Sequence, residues 1–186
     1  MPQSPQSQSG FLLVDKPADI TSHDAVDYLR KITGIKKIGH AGTLDPFATG
    51  LLIIAIGRQA TKNISQYVKL DKIYEATIIL GATTDSLDPE TPIKKQLLSK
   101  PFSQQDIQVA IKKMTGTIKQ KPPVFSAIKI NGRRAYQLAR ADQDIKIKSR
   151  SVQIYNFSLK NSKYQNGLQE LQTVIHCSSG TYIRSI

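Results

Sequence analysis

Apolar and polar positions alternate with two periods along this chain, one suited to strands and one to helices. Phe11-Leu-Leu-Val14 reads as a strand closed by Asp15-Lys16-Pro17. Over Ser22–Ile32 the apolar residues Ala25, Val26, Leu29 and Ile32 recur at helical spacing. Thr21 or Ser22 can cap this helix, and Gly34 lies just past its end. Leu51–Ile56 is the longest apolar run and fits a buried strand. Arg58–Val68 has a helical pattern, and Ile73–Leu80 alternates as a strand should. Asp-Pro and Thr-Pro breakers at 88–89 and 91–92 mark Gly81–Phe102 as a loop. Ser103-Gln-Gln-Asp106 forms a capping box that opens a helix running to Met114. After Pro122-Pro123 the pattern predicts a short strand over Val124–Ile130, a turn at Asn131-Gly132 and a brief helix over Arg134–Ala141. Strand patterns resume over Ile145–Leu159 and Leu168–Cys177, and Gly180-Thr181 opens a helix that the sequence end cuts off. Irregular interleaving with hairpin signals predicts an α+β fold, with a mixed, mainly antiparallel sheet flanked by helices, over a doubly wound one. Met1–Gly10 (MPQSPQSQSG) is polar and of low complexity, which predicts a disordered tail before one domain over 11–186.

Composition narrows the class. At 186 residues, 39% of them hydrophobic, the chain can bury a core. No apolar run approaches the ~20 residues of a membrane span, and the tail lacks the apolar region of a secretory signal. The single cysteine, Cys177, excludes an internal disulfide framework and reads as a small buried hydrophobe. A cytoplasmic location is the default. Charge says more, because Lys+Arg exceed Asp+Glu by 12. Residues 112–150 hold eleven basic residues against Asp142 and Asp144, a net of +9. Such a stretch points to a polyanion, most simply nucleic acid, since lysine and arginine displace counterions from phosphates. A solvated face on a basic protein is the bland alternative.

Candidate chemistry centres on residues 39–50. Gly39, Gly42 and Gly50 let backbone approach a ligand, and Pro46 stiffens the chain directly after Asp45. A carboxylate on such a rigid turn suits a nucleophile or base. A plain Asp-Pro turn, with Asp45 bonding its own backbone, is equally compatible with this spacing. His40 can contact a ligand or bond within the loop. The usual cofactor signatures are absent from the sequence. It has no phosphate loop, no dinucleotide fingerprint and no G-x-S-x-G elbow. Its three histidines (23, 40 and 176) are scattered, so no zinc pattern forms, and His176 reads as a plain strand residue. An enzyme built from this sequence is expected to work without metal or cofactor.

Six segments in order resemble one family. They are Lys16-Pro-Ala-Asp-Ile-Thr-Ser22, Gly39-His-Ala-Gly-Thr-Leu-Asp-Pro-Phe-Ala-Thr-Gly50, Lys72-Ile-Tyr74, Lys121-Pro-Pro-Val-Phe-Ser-Ala-Ile-Lys-Ile-Asn-Gly132, Arg134-Ala-Tyr-Gln-Leu-Ala-Arg140 and Cys177-Ser-Ser-Gly-Thr-Tyr-Ile-Arg184. Together they look like the successive motifs of the bacterial tRNA pseudouridine synthase B family, spanning Gly10 to Ile186. The resemblance implies the pseudouridine synthase catalytic fold and isomerisation of uridine 55 in the tRNA T-loop. It makes Asp45 the catalytic aspartate and His40 a residue that helps extrude the base. Tyr74 becomes the aromatic that stacks on the flipped uracil, Tyr182 lines the same pocket, and Arg184 pairs with Asp45. Lys16, Arg133 and Arg134 join the substrate contacts. Residues 120–150 become an insertion that clamps RNA, with Val124-Phe125-Ser126 on its strand and Arg133–Arg140 on its helix.

The chemistry needs such a set. Breaking N1–C1′, turning the base and joining C5 to C1′ requires a closed, dry pocket that holds a detached ring. Flipping the uridine costs about a few kcal/mol, of which an aromatic platform recovers ~1–3 kcal/mol. An arginine near Asp45 would keep that carboxylate ionised, for attack at C1′ or at C6. The partner implied is the tRNA T-arm, with no membrane and no protein partner, and the protein acting as a monomer. The competing reading is a tRNA-binding or folding chaperone without catalysis. The family's catalytic domain normally continues past the Tyr-Ile-Arg motif, so the chain resembles an incomplete form of it. Arg184, two residues from the last position, is on this ground expected to be loosely held.

Overall fold

The computed structural model describes residues 9–126, 129–130, 133–134 and 147–186, and these divide into two compact units, Met1–Leu70 and Asp71–Ile186. The polar tail through residue 8, the Asn131-Gly132 turn and nearly all of the Arg134–Ala141 helix expected from sequence lie outside the described residues.

The first unit follows its hydrophobic pattern closely. Strand β1 (Gly10–Lys16) pairs antiparallel with β3 (Gly50–Ile56), from Gly10 opposite Ile56 to Lys16 opposite Gly50. A short β2 (Ile38–His40) adds to the other edge of β3 and gives the order β1-β3-β2. Helix α1 (Ser22–Thr33) covers one face of this sheet. Thr21, not Ser22, is its cap: Asp24 N–H donates to the Thr21 hydroxyl, and Thr21 N–H donates to the Asp24 carboxylate. Gly34 closes the other end at φ 69°, a left-handed conformation that suits glycine. Ala25, Val26, Ile35, Ile38, Leu52 and Ile54 form the core between helix and sheet. Leu51 departs from the expected buried run, since it lies 64% exposed on the opposite face. Two short helices, α2 (Gly57–Asn63) and α3 (Ser65–Val68), complete the unit.

The second unit is built on a four-stranded antiparallel sheet of order β4-β11-β10-β7. Its strands are β4 (Lys72–Leu80), β7 (Gly116–Gln120), β10 (Arg150–Gln165) and β11 (Leu168–Cys177). Tyr74, Ala76, Ile78 and Leu80 turn towards the core while Ile73 and Ile79 face outward, the alternation read in the sequence. Helix α4 (Gln104–Lys113) starts at the Ser103–Asp106 capping box and sets Ile107 and Ile111 against Ile154, Phe157, Leu171 and Ile175. Fully burying each of these aliphatic side chains stabilises by about 1.5–3 kcal/mol. Cys177 is buried in this core, as expected of a small hydrophobe, and burial pushes its thiol up. The long loop after β4 contains the minimal pair β5 (Ala82–Thr83) and β6 (Lys94–Lys95). Another minimal pair joins β8 (Lys129–Ile130) to β9 (Arg133–Arg134).

Three expectations fail here. Arg133 and Arg134, expected on a helix, pair instead as β9 with the edge of β8. Val124–Ser126 is a bend, not the start of a strand, and among the described residues of that segment only Lys129–Ile130 is extended in a ladder. Two successive prolines remove ladder donors, and the Phe125 carbonyl instead accepts from Arg184. The helix expected after Gly180 is only a 3₁₀ turn over Ile183–Ser185. The fold is α+β with mainly antiparallel sheets, as the sequence pattern predicts.

Candidate active site

In the first unit everything converges on the turn that carries Asp45. Ser22, the first residue of α1, donates its hydroxyl to the Leu44 carbonyl at 3.2 Å and accepts from Leu44 N–H at 2.9 Å. On the other side of Asp45, the Pro46 carbonyl accepts from Asp19 N–H at 2.9 Å and from Lys16 Nζ at 3.0 Å. Ala48 N–H donates back to the Asp45 carbonyl at 3.1 Å. The half-buried carboxylate therefore sits on backbone that is pinned before and after it. The segment Lys16–Ser22 is what pins it, which gives the first shared motif a structural purpose.

Lys16 needs a correction. Its side chain is fully buried, and its Nζ donates to the carbonyls of Pro17, Ile20 and Pro46 at 2.7, 2.8 and 3.0 Å. Three acceptors use all three hydrogens of an ammonium, so none remains for a phosphate. Burial lowers the Lys16 pKa, while the charges of Asp19 and Asp45 raise it. Lys16 braces the loop; it is not a substrate contact. His40 ends β2, and its Nδ1 lies 2.5 Å from the Gly42 carbonyl. A carbonyl only accepts, so Nδ1 carries the proton and Nε2 is left as an acceptor. Burial pushes the imidazole below its usual range, with the bond to Gly42 working against that shift.

The second unit gathers the other candidates. Tyr74 is on β4, half-buried against the core and opposite Ile175. Tyr182 is held through its backbone by Gln120, whose side-chain amide donates to the Tyr182 carbonyl and accepts from its N–H, both at 2.8 Å. The Arg150 guanidinium lies 4.7 Å over the Tyr182 ring and also donates to the Gly180 carbonyl. Arg184 is not loosely held. Its Nη1 donates to Asp88 Oδ2 at 2.7 Å and to the Ser86 carbonyl at 3.1 Å, and its Nη2 donates to the Phe125 carbonyl at 3.0 Å. The Arg184 and Asp88 side chains are only 10% and 2% exposed. The Ser86 hydroxyl donates to Asp88 Oδ1 at 2.6 Å and also meets the Thr91 hydroxyl. The buried side chains of Ser86 and Asp88, on an otherwise largely exposed loop, thus fix the arginine before any ligand arrives.

Asp88, Ser86, Gln120 and Arg150 went unnoticed in the sequence, because each meets its partner across dozens of positions. The Asp-Pro dipeptide at 88–89 signals only a turn. His176 is on β11, 3.8 Å from Asp71 and with its ring 4.8 Å from that of Tyr155 at a 45° tilt, all on an outer surface. Arg133 and Arg134 form β9. Among the described residues no group of histidine, cysteine or carboxylate side chains could hold a metal. No described helix is long and apolar enough to cross a membrane.

Comparison with known proteins places the chain in a family. A tRNA pseudouridine synthase B of Corynebacterium efficiens is 42% identical over 182 residues, which are 98% of this chain and 61% of that protein. The enzyme of the same name from Mycobacterium sp. (strain KMS) is 43% identical over 177 residues, 95% of this chain and 59% of its own length. The chain therefore spans about three fifths of the curated relatives it matches. A chain of a solved Cbf5-Nop10-Gar1 complex superposes with a TM-score of 0.64 at 27% identity, covering 95% of this chain and 41% of that one. A family model described as the N-terminal domain of TruB family pseudouridylate synthases matches residues 30–183. The chain belongs to the TruB family of pseudouridylate synthases.

Proposed function

We propose that this protein works in the conversion of a tRNA T-loop uridine, that at position 55, to pseudouridine. The observation that carries the proposal is the clamped Asp45 turn: a carboxylate on immobilised backbone suits attack on a base that must be met in one orientation. The names and identities of the relatives support the same reaction. The reaction is an isomerisation that adds and removes no atoms, so its balance calls for no co-substrate.

In this mechanism the uridine leaves the T-loop stack and its base lies against the Tyr74 ring, which recovers about 1–3 kcal/mol of the unstacking cost. Asp45 attacks either C1′ of the sugar or C6 of the ring. The N1–C1′ bond breaks, the base turns and C5 bonds to C1′; the bond to Asp45 breaks to return the free carboxylate, and the C5 proton is finally lost to solvent while N1 gains one. Arg184 contributes fixed positive charge and Tyr182 a second wall of the pocket. His40, with Nε2 free to accept, helps displace the base. The basic stretch over 112–150, including Arg133 and Arg134, holds phosphates. The protein acts on the T-arm as a cytoplasmic monomer.

A T-arm hairpin transcript incubated with the protein, followed by chemical mapping of pseudouridine, tests the reading. Modification confined to the T-loop uridine is expected. Tight binding with no modified position would favour the chaperone reading instead.

A further inference from the structure

The first unit contains a second feature, of which the reaction above uses only His40. Between the end of α1, strand β2 and helix α2 lies an open groove of about 750 Å³. Arg30, Lys36, Lys37, His40, Arg58 and Lys62 line it, over a floor that includes Ile38, Gly39 and Ile64. Pockets of this size for small ligands are mostly apolar with a few polar groups; this one is ringed by cations. The first unit has eight lysines and arginines and five aspartates, and five of the eight but none of the five line the groove. The distribution is far from an evenly mixed surface.

One of those cations is already engaged. Arg30 pairs with Asp27 at 2.8 Å and donates to the Ile38 carbonyl at 3.1 Å, so it braces the groove wall. Lys36, Lys37, Arg58 and Lys62 are exposed, and among the described residues none has a carboxylate partner. Four such charges on one concave surface repel one another and destabilise the unliganded protein unless an anion offsets them. The groove also touches Gly39-His40, the beginning of the loop that carries Asp45. An extended polyanion lying in it would continue towards that loop.

We infer that this groove is a backbone-binding track for RNA, separate from the basic 112–150 stretch, in which Lys36, Lys37 and Arg58 contact phosphates. The inference rests on the RNA-modifying reading above, and names where the strand adjoining the target runs. The contacts are sequence-independent, so they set register and affinity and leave base choice to the Asp45 loop.

The test uses the full chain, a T-arm hairpin transcript and equilibrium binding from 50 to 300 mM salt, a range of roughly the span over which phosphate contacts dominate. The triple variant Lys36→Glu, Lys37→Glu, Arg58→Glu is compared with wild type and with Arg133→Glu, Arg134→Glu. All three groove residues are exposed, so the fold is expected to persist, checked by an unfolding midpoint no lower than that of wild type. The groove variant should lower the log–log salt slope by about 2–3, at ~0.7–0.9 per lost contact, and weaken binding by at least about tenfold at low salt. An unchanged slope in the groove variant, with wild type still binding, would overturn the groove and leave the proposed function standing. Polyglutamate bound as tightly as the hairpin would overturn it in favour of an acidic protein partner. Wild type that fails to bind the hairpin would bring down the parent reading, and the groove with it.

Discussion

Removing the Asp88 carboxylate takes away the charged partner that meets Arg184 at 2.7 Å inside the second unit. Breaking a buried ion pair from one side typically costs about 3–5 kcal/mol, so Asp88→Ala should lower stability by that order in urea unfolding. A loss within ~0.5 kcal/mol, the range of ordinary surface changes, would show that the pair is dispensable. His40 gives a pH dependence of definite sign. Its pKa is lowered in the folded protein, so the unfolded chain binds the proton more readily. Stability is then full above the ordinary histidine range near ~6.5 and falls as pH drops below it. His23 and His176 lie on exposed surfaces, and the lowered Asp24 and Asp106 carboxyls titrate at far more acid pH. His40→Gln should therefore flatten the decline in melting temperature between about pH 7 and pH 5. At this scale the sequence pointed to the turn that carries Asp45 but did not show that Lys16 is buried. Asp45 advertises itself through glycines and a proline beside it. The burial of Lys16 depends on the Pro46 carbonyl, thirty residues away, and no local pattern encodes it.

Elements were legible where caps and periodicity agreed. The Ser103–Asp106 capping box was readable because it is complete within four residues, whereas the cap of α1 stayed open between Thr21 and Ser22; Ser103→Ala should cost about 1 kcal/mol by thermal unfolding. Short strands were not legible. β2 and β7, three and five residues long, carry too little alternation to stand out, and they form because β3 and β10 offer them an edge. The far half of β10 was missed for another reason. Asn161–Gln165 is polar, so the apolar pattern ends at Leu159 while the strand continues. The hairpin turn at Asn166-Gly167 holds it in register with β11, both residues having positive φ, 51° and 77°. A Cβ on Gly167 would meet Leu97 Cβ at 2.8 Å, in a conformation that already disfavours side chains. Gly167→Ala is accordingly expected to destabilise by about 1–3 kcal/mol, and a neutral effect would mean that the turn relaxes freely.

At the scale of the whole molecule, the residues given roles above fall in both units. The first carries the braced Asp45 turn and the cationic groove; the second carries Tyr74, Tyr182 and the Arg184–Asp88 pair. The net charge of +12, concentrated in residues 112–150 and in that groove, suits a protein that must hold a phosphate chain while one base is worked on. Charge alone serves a chaperone equally well, so binding measurements do not separate an enzyme from a binder. Asp45 does, because a chaperone has no use for a nucleophile. The decisive measurement is single-turnover pseudouridine formation on a T-arm transcript by wild type and by Asp45→Asn, which keeps the shape of the side chain and removes its charge. Wild type should modify the T-loop uridine, while the variant binds the transcript within a few-fold of wild type and forms no pseudouridine. Turnover by Asp45→Asn near the wild-type rate would contradict the assignment of Asp45 as nucleophile.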